Sequence, residues 1–222
     1  MHNSVMNTAR LLWAGLRALL VLTVVTGILY PLAITGVAQG LFHDQANGSE
    51  ITADGEVVGS SLIGQSYDLP LRKGRETPDP DLMWFQPRPS NGLGGNGVNT
   101  QYTLLLSGAT NRSADNKELI QWVRAAKAAV IRDNSTADHT VNPSDVPADA
   151  VTSSGSGLDP DISPQYAAVQ VHRIAERNGL SVARVRKLVE EHTGGRTLGF
   201  IGEPRVNVLE LNIALKELVA KG

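Results

Sequence analysis

The chain has no cysteine, which excludes disulfides, thiolate nucleophiles and cysteine-ligated zinc or iron. Aromatic residues make up only 5% of its 222 residues and the formal net charge is -2. With no basic stripe interleaved with aromatics, nucleic acid is excluded as a partner. The five histidines, His2, His43, His139, His172 and His192, are scattered and never fall at His-x-x-x-His spacing, so no metal site is expected. No G-x-x-x-x-G-K-[ST] phosphate loop and no Asp-Lys-Thr-Gly phosphorylation sequence occurs, so the chain by itself is not an ATP-hydrolysing engine. Charge is also missing from the whole of residues 18–42, between Arg17 and His43.

That uncharged run is mostly aliphatic, with Leu19, Leu20, Val21, Leu22, Ile28 and Leu32 among its members. At 1.5 Å rise per residue it is long enough to cross a hydrocarbon core of about 30 Å. It predicts a transmembrane helix over 18–38, kinked at Pro31, where a bilayer-spanning helix tolerates proline if the freed carbonyl finds another donor. A cleaved secretory signal is the competing reading, with Gly36-Val37-Ala38 supplying small residues, but its apolar core would be shorter, about 7–15 residues. Arg10 and Arg17 precede the run, and the first basic side chain of the Lys or Arg type after it is Arg72. Because cytoplasmic flanks carry the excess of Lys and Arg, the amino terminus, 1–17, is expected in the cytoplasm and residues 43–222 outside.

About 180 residues beyond the membrane suffice for one sizeable domain or two small ones. The β-branched, glycine-punctuated stretch Glu56 to Gln65 predicts a strand or hairpin. Helical spacing of Leu119, Val123, Ala126 and Val130 predicts a helix capped by Ser113 or Asp115 and ending at Arg132. Residues 133–150 read as a loop or internal linker. Three further helices follow, one opened by Ser163-Pro164, one capped by Ser181 and one from Val206 to Val219. Between the last two, Leu198-Gly199-Phe200-Ile201 fits a strand or turn docking on the same core. The fold class is therefore α+β: one N-terminal transmembrane helix, then a soluble domain with a few short strands and about four helices.

Gly92-Leu93-Gly94-Gly95-Asn96-Gly97 spells G-x-G-x-x-G, yet it lacks the strand before and helix after that a dinucleotide site requires, and it reads as a surface loop. In Ser153 to Pro160, glycines allow close backbone approach, serine hydroxyls can satisfy exposed amides and Asp159 can close a turn. A structural turn or docking surface fits it better than catalysis, and no G-x-S-x-G elbow is present. Glu203 and Arg205 are placed to pair with each other or with a partner, and Asn207 to cap the last helix.

In their order these segments resemble the KdpC family, accessory subunits of the Kdp potassium-transporting ATPases. The resemblance rests on Gly59-Ser60 with Leu62-Ile63-Gly64-Gln65, on Phe85 with Arg88-Pro89-Ser90, and on Val146 through Ser154-Gly155-Ser156-Gly157-Leu158-Asp159-Pro160 to Ile162-Ser163-Pro164. It continues through Gln170, Arg173 and Ala175 to Gly195-Arg196, Leu198-Gly199 and Gly202-Glu203-Pro204-Arg205-Val206-Asn207-Val208-Leu209-Glu210-Leu211-Asn212. Two departures stand out: the family's usual Ser-Gly-Gly-Ser-Asn is here Ser107-Gly108-Ala109-Thr110-Asn111, and its frequent histidine before Ile-Ser-Pro is Asp161.

The resemblance implies a non-catalytic member of a bacterial plasma-membrane potassium-uptake complex. Its partners would be the potassium-translocating, channel-like KdpA, the ATP-hydrolysing KdpB and the small KdpF, besides the lipid bilayer. The family is described both as a catalytic chaperone that raises the ATP affinity of KdpB and as an assembly factor. No tightly bound cofactor is implied; ATP would enter through KdpB, and potassium is the transported ion. Candidate nucleotide-contact or partner-docking residues are Gln170, Ser154, Gly155, Ser156, Gly157 and Asp159. Arg88, Pro89, Ser90, Glu203, Pro204, Arg205 and Asn207 are candidate partner-interface residues. The competing readings are an anchored extracytoplasmic binding or scaffold module unrelated to ion transport, and an anchored hydrolase using Ser156, His172 or His192 and Asp159.

Overall fold

The computed structural model describes residues 2–75, 77–90, 94–95 and 107–221. The G-x-G-x-x-G stretch therefore lies outside the described residues except for Gly94 and Gly95. The chain divides into two compact units, 1–49 and 50–222.

The first unit is helical. Helix α1 (His2–Val24) passes through a π-helical turn, Val25–Leu29, into α2 (Tyr30–Leu41), and the short α3 (His43–Ala46) follows. Among the described residues this supplies the one helix long and apolar enough to cross a membrane, Val5–Leu41. Its 37 residues span about 55 Å at 1.5 Å per residue, so the helix extends well beyond the expected 18–38. Its apolar side chains are exposed around the helix, Leu19, Leu22, Ile28 and Leu32 among them, which suits a lipid surround rather than a protein core. Pro31 has no N–H to give and its ring crowds the carbonyl four residues before it. The chain answers with a wider turn, in which the Tyr30 N–H donates to the Val25 carbonyl, rather than with a tight one.

In the second unit, β1 (Glu50–Ala53) and β2 (Glu56–Ser60) form an antiparallel hairpin, whose second strand occupies the first half of the stretch Glu56 to Gln65 expected to be a strand or hairpin. Asp54 and Gly55 take φ of 54° and 85°, the paired left-handed conformations that an Asp-Gly hairpin turn needs. Gly59 is fixed by packing: a Cβ there would stand 2.8 Å from the Leu209 side chain and closer still to Gln65. The two-residue β3 (Gln65–Ser66) and β4 (Gly94–Gly95) pair in parallel. Helix α4 (Lys117–Asn134) is capped by Asn116, whose Oδ1 accepts from the Leu119 N–H at 2.9 Å. Neither expected cap serves, because the Ser113 hydroxyl bonds the Asp115 carboxylate at 2.6 Å instead. Helix α4 runs two residues past the expected end at Arg132, and residues 135–150 then lie within this unit as a packed loop closing on a 3-10 turn, Ala148–Ala150, with Val141 and Ala150 buried.

Strands β5 (Asp161–Ile162), β6 (Thr193–Gly194) and β7 (Arg205–Asn207) make a small antiparallel sheet in the order β5-β7-β6. Helices α5 (Pro164–Asn178), α6 (Val182–Glu191) and α7 (Val208–Ala220) pack around it. Ser163, Ser181 and Asn207 cap them, each accepting an N–H from three residues on. The start expected at Val206 is two residues early, since β7 claims Arg205–Asn207 before α7 begins. Asp149, on a 3-10 turn, takes both the N–H and the hydroxyl of Ser163 at 2.6 and 2.9 Å, placing a carboxylate at the positive end of α5. The core joins Ile162, Val171, Ile174, Val185, Val206, Leu211 and Leu215 across these elements.

Leu198-Gly199-Phe200-Ile201 does not join that core. Leu198 is 79% and Phe200 73% exposed. Leu198 and Gly199 take φ of 53° and 82°, and the Phe200 N–H meets the Thr197 carbonyl at 3.3 Å. Two consecutive left-handed residues make a tight hairpin turn whose twist carries the apolar side chains away from the sheet.

Buried amide side chains hold the irregular chain between Leu82 and Gln86. Asn212 on α7 accepts the Phe85 N–H (2.9 Å) and donates to its carbonyl (3.0 Å). Gln170 on α5 treats the next residue alike, accepting from Gln86 N–H (2.7 Å) and donating to its carbonyl (3.1 Å). Arg173, 2% exposed, donates to Asn134 Oδ1 (2.8 Å), Gln170 Oε1 (2.6 Å) and the carbonyls of Trp84 (3.0 Å) and Leu82. Burial lowers its pKa to about 10, which still leaves the guanidinium charged at neutral pH. Neutral acceptors solvate that cation where water does not reach.

Removing one jaw leaves both polar groups of a buried peptide unpaired, at about 1–3 kcal/mol per group. Asn212→Leu is expected to lower the thermal midpoint of the full chain in detergent, followed by tryptophan fluorescence; an unchanged midpoint contradicts the clamp.

A second expectation concerns pH. His139 and His172 stack with ring centroids 3.8 Å apart and planes 9° from parallel. Burial, then the charges of His139 and Arg186, holds the His172 imidazole below its ordinary pKa. The folded state thus binds this proton more weakly than the unfolded chain, so the contribution is intact above about pH 6.5 and lost as pH falls. His172→Phe keeps a ring in the stack and should lose less thermal stability than the parent between pH 7.5 and 5; equal losses contradict the assignment.

Candidate functional site

The turn Ser153–Pro160 is built by its own side chains. Ser154 Oγ accepts the Gly157 N–H at 2.9 Å, Ser156 Oγ accepts the Leu158 N–H at 3.1 Å, and the two hydroxyls lie 3.2 Å apart. Asp159 Oδ1 accepts the Asp161 N–H at 3.0 Å. These are the local bonds that serine and aspartate offer a turn in place of helix or sheet. Gly157 has φ of 69°, and a Cβ on it would come within 2.8 Å of the Gly108 carbonyl oxygen. Glycine is required there both by conformation and by that close approach.

Four separate parts of the chain converge on this turn. Arg88 forms an ion pair with Asp159 at 2.9 Å, both side chains half-buried, and reaches the Ser153 carbonyl at 3.4 Å. Ser90 donates to the Gly157 carbonyl. From the other side the Gly108 N–H (2.7 Å) and Ser107 hydroxyl (3.1 Å) donate to the Ser156 carbonyl. Gly64 N–H donates to the Leu158 carbonyl at 2.8 Å, and Val208 N–H to that of Pro160 at 3.0 Å. The structure thus joins two candidate groups, Arg88-Pro89-Ser90 and Ser154 to Asp159, into one polar staple. It also gives Ser107-Gly108, in the segment that departs from the family pattern, a definite place.

Gln170 has other partners. It is fully buried, and its amide grips Gln86 and receives Arg173 rather than the turn. Glu203 and Arg205 do not pair with each other: Glu203 meets Arg196 at 2.7 Å and Arg205 meets Asp161 at 3.1 Å. Antiparallel pairing sets Arg205 on β7 beside β5, which carries Asp161, while Glu203 precedes the strand in the hairpin arm facing Arg196. Pro204 is exposed. Asn207 caps α7 and donates to the Ser61 carbonyl at 2.9 Å. The residues considered for a hydrolase have separate neighbours: His172 stacks on His139, His192 Nδ1 lies 2.9 Å from the Leu188 carbonyl, and Ser156 serves its own turn.

Beside the staple, Asp68, Gln86, Arg88, Asp133, Tyr166 and Arg173 line an open cleft of about 260 Å³. Burial pushes the Asp68 carboxyl up, against a hydrogen bond from Ser66, and the Tyr166 phenol up to about 12. Two carboxylates face two guanidiniums in this lining, a balance that favours neither a phosphate nor a free cation. Among the described residues no group of three or more His, Asp or Glu is placed to hold a metal.

The clamp residues beyond Gln170 escape a reading of the sequence as site-forming. Asn212 and Arg173 sit on apolar helix faces next to Leu211, Leu215 and Ile174, and a polar side chain in such a stripe is the available signal, since burial obliges it to find partners.

Comparison with known proteins bears on the whole chain. Residues 12–217 match the family model described as KdpC: K+-transporting ATPase, c chain. The Potassium-transporting ATPase KdpC subunit of Streptomyces avermitilis is 82% identical over 220 residues, 99% of each chain. That of Streptomyces coelicolor is 75% identical over 222 residues, covering 100% of this chain and 99% of the relative. That of Mycobacterium tuberculosis is 43% identical over 209 residues, 94% of this chain and 99% of its own. A long apolar helix, an α+β unit and a match running almost end to end make this chain a member of the KdpC family, the c chains of membrane-bound K+-transporting ATPases.

Proposed function

We propose that this chain is the accessory, non-catalytic member of an ATP-driven high-affinity potassium-uptake complex in the bacterial plasma membrane. In this reading Val5–Leu41 holds it in the bilayer with its amino terminus cytoplasmic, and the α+β unit works outside the cell as an assembly element. Its partners are the channel-like KdpA, the ATP-hydrolysing KdpB and the small KdpF. One observation carries the reading: the serine-rich turn spends the Ser154 and Ser156 hydroxyls on its own backbone and the Ser156 carbonyl, the Gly157 carbonyl and Asp159 on other parts of the same chain. Such a staple makes a rigid platform, and rigid surfaces hold a partner at lower entropic cost than mobile ones.

Charge supports the orientation. Arg10 and Arg17 lie before the apolar run, and no Lys or Arg follows it until Arg72. ATP is cytoplasmic, so a unit placed outside influences nucleotide affinity only through the conformation of the proteins it holds. The raised ATP affinity ascribed to the family is then an indirect effect of a stabilised complex.

The absence of cysteine makes the orientation directly testable. Ala137 lies on an exposed part of the loop after α4. Ala137→Cys in intact cells is expected to react with a membrane-impermeant maleimide. Labelling only after lysis contradicts the external placement and restores direct nucleotide contact.

A further inference from the structure

The charges that line the cleft beside the staple are only partly neutralised from within. Arg88 is paired with Asp159 at 2.9 Å, and the Arg132 guanidinium holds both oxygens of Asp133, at 2.8 and 3.1 Å. Two charges are left over, one of each sign. Among the described residues Asp68 has no Lys or Arg beside it, only a hydrogen bond from Ser66. Arg173 is surrounded by amides and carbonyls, with no carboxylate in bonding distance. A guanidinium has five N–H donors. Asn134, Gln170 and the carbonyls of Leu82 and Trp84 take one each, which leaves one N–H on Nη2 unspent. Near Arg173 stands Tyr166, only 4% exposed, whose hydroxyl has no hydrogen-bond partner among the described residues. Buried polar groups of folded proteins are as a rule partnered, so two spare donors on the cleft wall mark a place for an acceptor.

We infer that this cleft is a binding site for a small amino-acid zwitterion, its carboxylate received by Arg173 and Tyr166 and its ammonium by Asp68. An ion of one sign would satisfy one of the two leftover charges and be repelled by the other. A molecule that carries both satisfies both and adds no net charge to a partly buried site, where an uncompensated charge is costly. Leu82, Ala126, Ala129 and Val130 are also in the lining and suit a short aliphatic body between the two charged ends. The volume of about 260 Å³ lies below the ~300–1,000 Å³ of sites for drug-sized ligands, which sets the ligand at the size of a single amino acid rather than of a nucleotide. This site stands apart from the membrane orientation and the complex membership proposed above, and its loss would leave both untouched.

The test titrates the full chain in detergent by saturation-transfer NMR with two zwitterions of different charge spacing, L-valine and γ-aminobutyrate. At least one should bind saturably; failure of both overturns the site. N-acetyl-L-valine keeps only the carboxylate and L-valinamide only the cation, and each should bind more weakly than L-valine, or not at all. Equal binding of either overturns the zwitterion. Asp68→Asn should weaken binding roughly tenfold or more, and Tyr166→Phe roughly three- to tenfold. Asp138→Asn, an exposed carboxylate on the loop after α4, should bind as the parent does. Without ligand, Asp68→Asn should melt no lower than the parent, because burial disfavours the charge it removes. Saturating zwitterion should then raise the parent's thermal midpoint and leave that of Asp68→Asn unmoved. Parent-like binding by Asp68→Asn overturns the assignment, whereas the comparison among ligands on the parent chain decides the zwitterion even if a variant fails to fold.

Discussion

The paired amides on Phe85 and Gln86 are the constraint on which the second unit depends. A chain segment with no helix or strand of its own runs through the core, and every peptide group it buries needs a partner. Asn212 from α7 and Gln170 from α5 provide partners in the geometry of a β-ladder, one side chain to each residue. Arg173 closes the arrangement by bonding the carbonyls just upstream. Two helices far apart in sequence are thereby tied to one strand-like piece, with Phe85 itself fully buried between them.

The segment that leaves the clamp is the one that reaches the staple. Arg88 and Ser90 lie two and four residues beyond Gln86, and they lock onto Asp159 and Gly157. Pro160, at the end of that turn, accepts the first N–H of α7, and α7 supplies Asn212. Clamp and staple thus form a closed circuit through α7. Outside the circuit, the β6–β7 hairpin has its own internal bonds and ion pair, and it turns its apolar tip outward.

Elements governed by neighbours along the chain are legible in the sequence. The uncharged run to Phe42 announces a long apolar helix, the candidate membrane span, because a stretch without charge and with few backbone breakers suits a surround that offers no water. Ser163, Ser181 and Asn207 announce helix starts because a cap acts within three residues. The β-branched residues and glycines of Glu56 to Gln65 announce a strand or hairpin because they suit an extended, half-buried backbone, and Glu56–Ser60 forms the strand. Long-range partnerships are not legible. That Gln170 grips Gln86, or that Glu203 meets Arg196 rather than Arg205, follows from which strands and helices become adjacent. Leu198 to Ile201 is the instructive case: its composition suggests core, and the turn geometry at Leu198-Gly199 carries it to the surface instead. Near α4, Asn116 displaces both expected caps because Ser113 and Asp115 satisfy each other.

Amide hydrogen exchange on the full chain tests the clamp most directly. Phe85 and Gln86 belong to no helix or strand, so by local structure alone their N–H groups would exchange as a loop does. Held by buried Asn212 and Gln170, they should exchange only with global unfolding, at the rate of the Ile174 and Leu211 amides in the core helices. Exchange of Phe85 and Gln86 as fast as the exposed residues around Arg72 would show that the amide clamp does not hold the unit together.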